Sequence, residues 1–263
     1  MGNILDEIVA NKYVEVAKAK EAVSFSDLEK MPFFNRPVYS IRESLLNPDR
    51  TGIIAEFKRK SPSKGIINDT SKVEDVAKGY YEAGASGNSI LTDTKYFGGS
   101  LDDITKARPH TDLPILRKEF IVDEYQIIEA KAYGADFILL IAASLDKKEI
   151  IHLAKLAKSL DLEVLLEVHN EEELVRSLNP HIDLLGVNNR DLKAFKVDVN
   201  TSYSLVDKIP SDFLKISESG ISSPEMIKDL KKVGFHGFLI GECFMKEQNP
   251  IETINNFSKT LNN

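Results

Sequence analysis

Glu56 and Lys58 stand two residues apart in an apolar, β-branched run, so on an extended strand both side chains leave the same face. An acid and a base on one face can divide a proton transfer between them. Lys118, Asn188 and Glu218 end similar runs. In the run Leu162 to Val168 the even positions are all apolar, which leaves Glu163, Leu165 and Glu167 on the opposite face. A lysine ammonium can protonate a carbonyl, and a carboxylate can take up a proton or hold a developing cation. Taken singly, each of these residues is an ordinary solvated rim group. Two lysines (Lys58, Lys118) and three glutamates (Glu56, Glu167, Glu218) on inward faces are different, because a buried charge is costly unless paired.

These residues need a scaffold that brings them together. From Gly52 onward, eight short apolar runs alternate with helical patterns: 52–58, 88–92, 114–118, 136–141, 162–168, 184–188, 213–218 and 237–241. Asp146 with Glu149 and Asn170 with Glu173 have the spacing of N-cap pairs that open helices, and Ser223-Pro224 is a further helix start. Gly84, Gly134 and Gly234 fall where helices should end. Eight strands alternating with helices form either a closed barrel or an open doubly wound sheet. No Gly-x-Gly-x-x-Gly turn follows the first run, and polar residues recur at strand ends all the way along. Both observations favour an α/β fold of the (β/α)₈ TIM-barrel kind, in which chemistry sits at the C-terminal strand ends. The first 50 residues hold helical patterns around Ile4–Val9 and Ser40–Leu46 and are expected to form a helical extension on the barrel, the whole 1–263 being one domain.

Ser219-Gly220 after the seventh run and Gly241 at the end of the eighth predict an anion site, since glycine lets backbone N–H groups approach a ligand. Without a ligand, the same glycines serve as tight turns. The loop from Arg59 to Gly65 is basic and hydroxyl-rich and suits either a lid over an anionic substrate or a plain exposed loop. Tyr96-Phe97 and Phe120 put aromatic surface near the same mouth or into the core.

Composition excludes other classes. A net charge of -7 argues against nucleic acid or an anionic membrane surface as partner. No stretch approaches the roughly 20 apolar residues of a membrane span. Charges such as Asp6, Glu7, Lys12 and Glu15 interrupt the N-terminal apolar positions, which argues against a signal peptide. Cys243 is the only cysteine, as expected in a reducing, cytoplasmic setting, and reads as a small buried residue. The five histidines show no metal-ligand spacing; His169, past a strand end, reads as structural. No metal is expected.

The segments 53–65, 91–100 and 116–121, with Leu165-Leu166-Glu167-Val168-His169, Gly186-Val187-Asn188-Asn189-Arg190-Asp191-Leu192, Ser217-Glu218-Ser219-Gly220 and Ile240-Gly241-Glu242, resemble indole-3-glycerol-phosphate synthase, in order and over nearly the whole chain. The resemblance implies conversion of 1-(2-carboxyphenylamino)-1-deoxyribulose 5-phosphate to indole-3-glycerol phosphate, with loss of carbon dioxide and water and with no cofactor. It implies Lys118 as general acid, Glu167 as the group aiding ring closure, Glu56 and Lys58 in dehydration, and Asn188 and Glu218 on substrate hydroxyls. Ser61, Arg190 and Ser219 would bind substrate, and Phe97, Phe120 and Leu139 would line the aryl pocket. Gly220, Gly241, Glu242 and Lys58 would hold phosphate. Any pathway-enzyme partner is left open. Asn88 departs from the family's apolar preference in the second strand and needs hydrogen-bond partners. Two rivals stand beside this reading: a lysine Schiff-base aldolase, and a phosphosugar-binding barrel without activity.

Overall fold

Eight parallel strands close into a barrel in a computed structural model that describes residues 4–191 and 196–262. Leu192, which ends one motif above, and residues 1–3 of the N-terminal segment lie outside the described residues. The barrel strands, in chain order, are Ile53–Phe57, Gly87–Leu91, Ile115–Lys118, Phe137–Ile141, Glu163–Val168, Leu184–Asn188, Leu214–Glu218 and Gly237–Ile240. Each pairs with its neighbours in sequence, and the first closes on the eighth through Ile53–Phe238, Ile54–Leu239 and Ala55–Ile240. Strands covered on both faces must be apolar on both, which is why these segments read as near-continuous Val, Ile and Leu runs.

Alternation sorts each strand into two cores. Ile54, Leu116, Phe137, Leu139, Leu165, Leu184, Ile216 and Leu239 fill the barrel, whereas Ile53, Ala55, Val164, Leu166, Val168 and Leu185 pack outward against the helices. The helix Asp146 opens carries a full capping box with Glu149. Gly84, Gly134 and Gly234 all adopt left-handed backbone at helix ends. Asn88 is buried on the helix side, where its amide donates to Thr111 at 3.2 Å.

The N-terminal extension does two jobs. Its third helix, Ile41–Leu46, plugs the N-terminal end of the barrel with Ile41 and Leu45. Glu163 holds that plug: its carboxylate accepts from Ile41 N at 2.6 Å, from Arg42 N at 3.3 Å and from Ser40 Oγ at 2.8 Å. A carboxylate there complements the positive end of the helix. Glu163 thus shares a face with Glu167, but four residues, about 13 Å along the strand, separate their levels.

The first helix, Ile4–Ala22, lies over the other rim. Its Lys12 is 3% exposed, with Nζ 2.6 Å from Asp93, 3.1 Å from Glu119 and 2.6 Å from Glu15. Asp93 caps the short helix Thr94–Phe97, and Glu119 accepts from Phe120 N. Removing one partner of a buried ion pair leaves the other charges uncompensated, at about 3–5 kcal/mol. Lys12→Met should therefore lose stability on that scale in denaturant unfolding, far more than an exposed lysine would. A loss below about 0.5 kcal/mol, typical of surface sites, would show the network to be idle.

Candidate active site

The same alternation that builds the inner core sets one polar residue a step above it on most strands. Ile54 is followed inward by Glu56 and Lys58, Leu116 by Lys118, Leu165 by Glu167, Leu184 and Gly186 by Asn188, and Ile216 by Glu218. All therefore reach the C-terminal rim, where Glu56, Glu167, Asn188 and Glu218 are buried and Lys58 and Lys118 largely so.

Two ion clusters result. Lys118 Nζ lies 2.6 Å from Glu218 Oε2 and 3.2 Å from Glu167 Oε2. Lys58 Nζ lies 2.6 Å from Glu56 Oε1. Two glycines make room for these carboxylates: a methyl group on Gly186 would overlap Glu218, and one on Gly241 would overlap Glu56. Gly241 has an ordinary φ of -124°, so close approach rather than turn geometry requires glycine there.

Burial opposes the charge on Lys118, yet the carboxylates of Glu218, Glu167 and Glu56 outweigh it and hold the amine protonated well above its ordinary range. An amine held that way is not the neutral nucleophile that imine formation needs, which speaks against Lys118 as the lysine of a Schiff-base aldolase. The two glutamates part company. Glu218 is pushed up to about 7, by burial first and by the neighbouring Glu167 next, against the pull of Lys118. Burial also works against ionisation of Glu167, but Lys118, His169 and a hydrogen bond from Asn188 prevail and lower it. Environments that separate two carboxyls in this way equip one as acid and the other as base.

A raised carboxyl has a stability signature. Glu218 binds its proton more tightly folded than unfolded, so its contribution is fully present below the unfolded value of 4.5 and is lost as pH rises through about 7. Glu218→Gln, a mimic of the neutral acid, should therefore gain melting temperature relative to the parent between pH 5 and pH 8. Thermal unfolding of both proteins at the two pH values measures this, and a gap independent of pH would contradict it.

A cavity of about 460 Å³ opens over the polar layer. Glu56, Lys58, Lys118, Glu167, Asn188, Arg190 and Glu218 face it, with Phe97, Phe120 and Leu139 on its wall and Ser219, Gly220, Gly241 and Glu242 across the ring of strands. The rings of Phe97 and Phe120 lie 5.9 Å apart and form an apolar end. At the other end Ser219 and Gly220 both adopt left-handed backbone, with φ of 67° and 79°. For the serine this costs about 1–3 kcal/mol, and Asn189 braces it by donating to Ser219 O at 3.0 Å and Ser217 Oγ at 3.1 Å. Helix Glu242–Met245 starts at Gly241.

Ser61 stands apart from this set. It belongs to the small hairpin pairing Lys60–Ser61 with Gly65–Ile66 and lines an adjoining, smaller cavity with Phe97, Phe120, Arg190 and Ile8. Cys243 is half-buried on the main cavity wall rather than fully buried. Lys64 of the hairpin reaches within 3.7 Å of Glu242, and Arg190 within 3.8 Å of the same carboxylate. Asn170 caps its helix, but Glu173 reaches past the expected capping position to His169. Lys12 and Glu119 escaped sequence reading, since each is one charge in a mixed segment whose partners lie in other elements.

Alternating strands and helices with paired lysines and carboxylates at the C-terminal rim define a (β/α)₈-barrel enzyme with acids and bases gathered at its mouth. This chain belongs to the indole-3-glycerol phosphate synthase family, whose family model matches residues 5–257. It is 50% identical to the indole-3-glycerol phosphate synthase of Bacteroides thetaiotaomicron over 261 residues, covering 99% of this chain and 100% of that one. Its identity to the Aliarcobacter butzleri protein of the same name is 41% over 262 residues, covering 98% and 100%. Among solved structures, 3-hexulose-6-phosphate synthase from Salmonella typhimurium superposes with a TM-score of 0.63 at 14% identity, over 80% of this chain and 98% of that one. A chain of the tryptophan synthase α2β2 complex of Pyrococcus furiosus gives 0.61 at 14%, over 81% and 98%. At that identity these last two share the fold alone.

Proposed function

We propose that this chain closes the indole ring of indole-3-glycerol phosphate from 1-(2-carboxyphenylamino)-1-deoxyribulose 5-phosphate, releasing carbon dioxide and water in tryptophan biosynthesis. The observation that carries the assignment of roles is the Lys118 ammonium seated between Glu167 and Glu218 on the cavity floor. Lys118 protonates the substrate carbonyl oxygen as the electron-rich anilino ring attacks that carbon. Attack leaves positive charge on the nitrogen, and Glu167 holds that cation. The iminium is the electron sink: the carboxylate leaves as carbon dioxide and the ring regains aromaticity. Departure of the hydroxyl as water takes one proton donor and one acceptor, which Glu56 and Lys58 supply between them. Asn188 and Glu218 bind the substrate hydroxyls.

Binding divides along the cavity. Phe97, Phe120 and Leu139 take the aryl ring, and Arg190, Ser219 and Ser61 order its carboxylate end and the rim. The backbone at Gly220, Gly241 and Glu242, with Lys58, receives the phosphate. No helix among the described residues is long and apolar enough to cross a membrane. A single cysteine suits a reducing compartment, so we place the enzyme in the cytoplasm, with a small phosphorylated molecule as its partner.

The test is direct. Purified protein mixed with the anilino-ribulose phosphate, without added metal or cofactor, should develop indole fluorescence at an enzyme-catalysed rate. Tight binding of that compound with no product would replace the enzyme by a phosphosugar-binding barrel.

A further inference from the structure

Lys118 is one cation between two buried carboxylates, Glu167 and Glu218, so its single charge cannot balance both. Two buried carboxyls with one cation between them favour a proton on one of the two, so something must decide which one carries it. Lys118 reaches both through their Oε2 atoms, at 2.6 Å for Glu218 and 3.2 Å for Glu167, so it is not what makes Glu167 the ionised one. The asymmetry lies on the far oxygen. His169 Nε2 stands 3.5 Å from Glu167 Oε1, and His169 Nδ1 is 3.1 Å from Glu173 Oε2. The same Glu173 oxygen accepts from His169 N at 2.8 Å, so both the ring and its backbone are clamped. The imidazole has one carboxylate on each side, an arrangement that favours the doubly protonated ring.

We propose that His169, held by Glu173, is a positioning residue that assigns the proton of the carboxyl pair: its cation keeps Glu167 ionised and so leaves Glu218 as the acid. The assignment deepens the role given to Glu167 above, since only an ionised Glu167 can hold the substrate cation. Burial works against the charge on His169, and Glu173, Glu167 and Glu218 overcome it and raise its proton affinity. The polar cavity that His169 lines adds Asp6 from the N-terminal helix and Glu172 beside Glu173, with Asp191 and Asp198 from beyond the sixth strand. Its cations are Arg176, Arg190 and Lys196. Arg176 is spent on the carbonyls of Leu145 and Ala142, and Arg190 leans on Glu242. The two carboxylates nearest the ring, Glu173 and Glu167, are what hold its proton.

Glutamate labelled with carbon-13 at Cδ reads this in the ligand-free protein, with Glu167→Gln and Glu218→Gln assigning the two signals. In the parent, Glu218 should titrate near neutrality and Glu167 well below it. In His169→Gln the proton affinity of Glu167 should rise about tenfold or more, the loss of one near charge. The acid limb of kcat against pH should move up with it while KM holds. Glu173→Gln keeps the ring, removes the negative charge beside it and should move Glu167 the same way by less, which provides a second reading if the first variant folds poorly. An unmoved Glu167 in both variants overturns the proposal. The titration needs no substrate: a moved Glu167 in a chain that makes no indole would sustain the proton assignment and overturn only the catalytic role.

Discussion

Lys118→Ala should turn over about 10²- to 10⁴-fold more slowly than the parent, the range that a positioned general acid contributes. No neighbour can replace it. Of the other lysines on the cavity, Lys58 is engaged by Glu56 at 2.6 Å on a different strand, and Lys64 and Lys246 lie toward Glu242 and Glu247 at its mouth. The loss should appear in kcat and in kcat/KM alike, because the proton is delivered as the carbonyl oxygen becomes an alkoxide and not while the substrate is only bound. The fold should survive. Without the ammonium, Glu167 and Glu218 face each other buried, and such a pair answers by taking up protons rather than by unfolding. Their proton affinity rises, so the variant should lose stability toward alkaline pH faster than the parent does. Lys118→Arg separates charge from acidity: guanidinium keeps the positive charge and the ion pairs but does not give up its proton, and it should stay near the alanine rate. Steady-state fluorescence assays, with thermal unfolding from pH 6 to 9, measure all of this. An alanine variant within about threefold of the parent would sink the assigned role.

What the linear sequence discloses follows from period-two alternation. The runs around Glu56, Lys118, Glu167 and Glu218 each carry an inward apolar residue two places earlier, and that around Asn188 carries Leu184 four places earlier, so the polar layer could be read one strand at a time. Direction is legible; level is harder. Glu163 shares the inward face with Glu167, and only the plug helix reveals that it serves the opposite end. Residues whose meaning lies in another element stay hidden. Lys12 looks like a solvated charge on a helix until Asp93 and Glu119 close on it from the ends of two strands. His169 looks structural until Glu167 is seen 3.5 Å from its ring. Glycines mislead in a related way: Gly241 suggests a turn, whereas its reason is the Glu56 side chain lying against it. Pairwise contacts between distant segments set these features, and no local period encodes them.

Glu167→Gln should lower kcat on the same scale as the loss of Lys118, about 10²- to 10⁴-fold, with little change in KM. The amide has nearly the carboxylate's shape and keeps one oxygen, so Asn188 and Lys118 retain a partner and substrate still finds its floor. What disappears is a full negative charge in a site walled off from water, where a charge pair is worth most. The bound substrate is uncharged at its nitrogen, and the charge appears only as the ring closes. The missing attraction is therefore felt in the transition state and not in the ground state, which places the effect in kcat. The substitution also acts on Glu218. Glu167 is one of the causes that hold the Glu218 carboxyl near 7; with a neutral amide beside it, Lys118 pulls that carboxyl downward. Glu218 should then ionise, supply Lys118 with its counter-charge and keep the ammonium in place. The acid catalyst is thus preserved while the cation holder is lost, so the residual rate measures general acid catalysis without its electrostatic partner. Adding Lys118→Ala should cost less in this background than in the parent, because the two groups act on the same ring-closing step. Strict additivity of the two losses in kcat would separate their roles and break the mechanism into two unlinked steps.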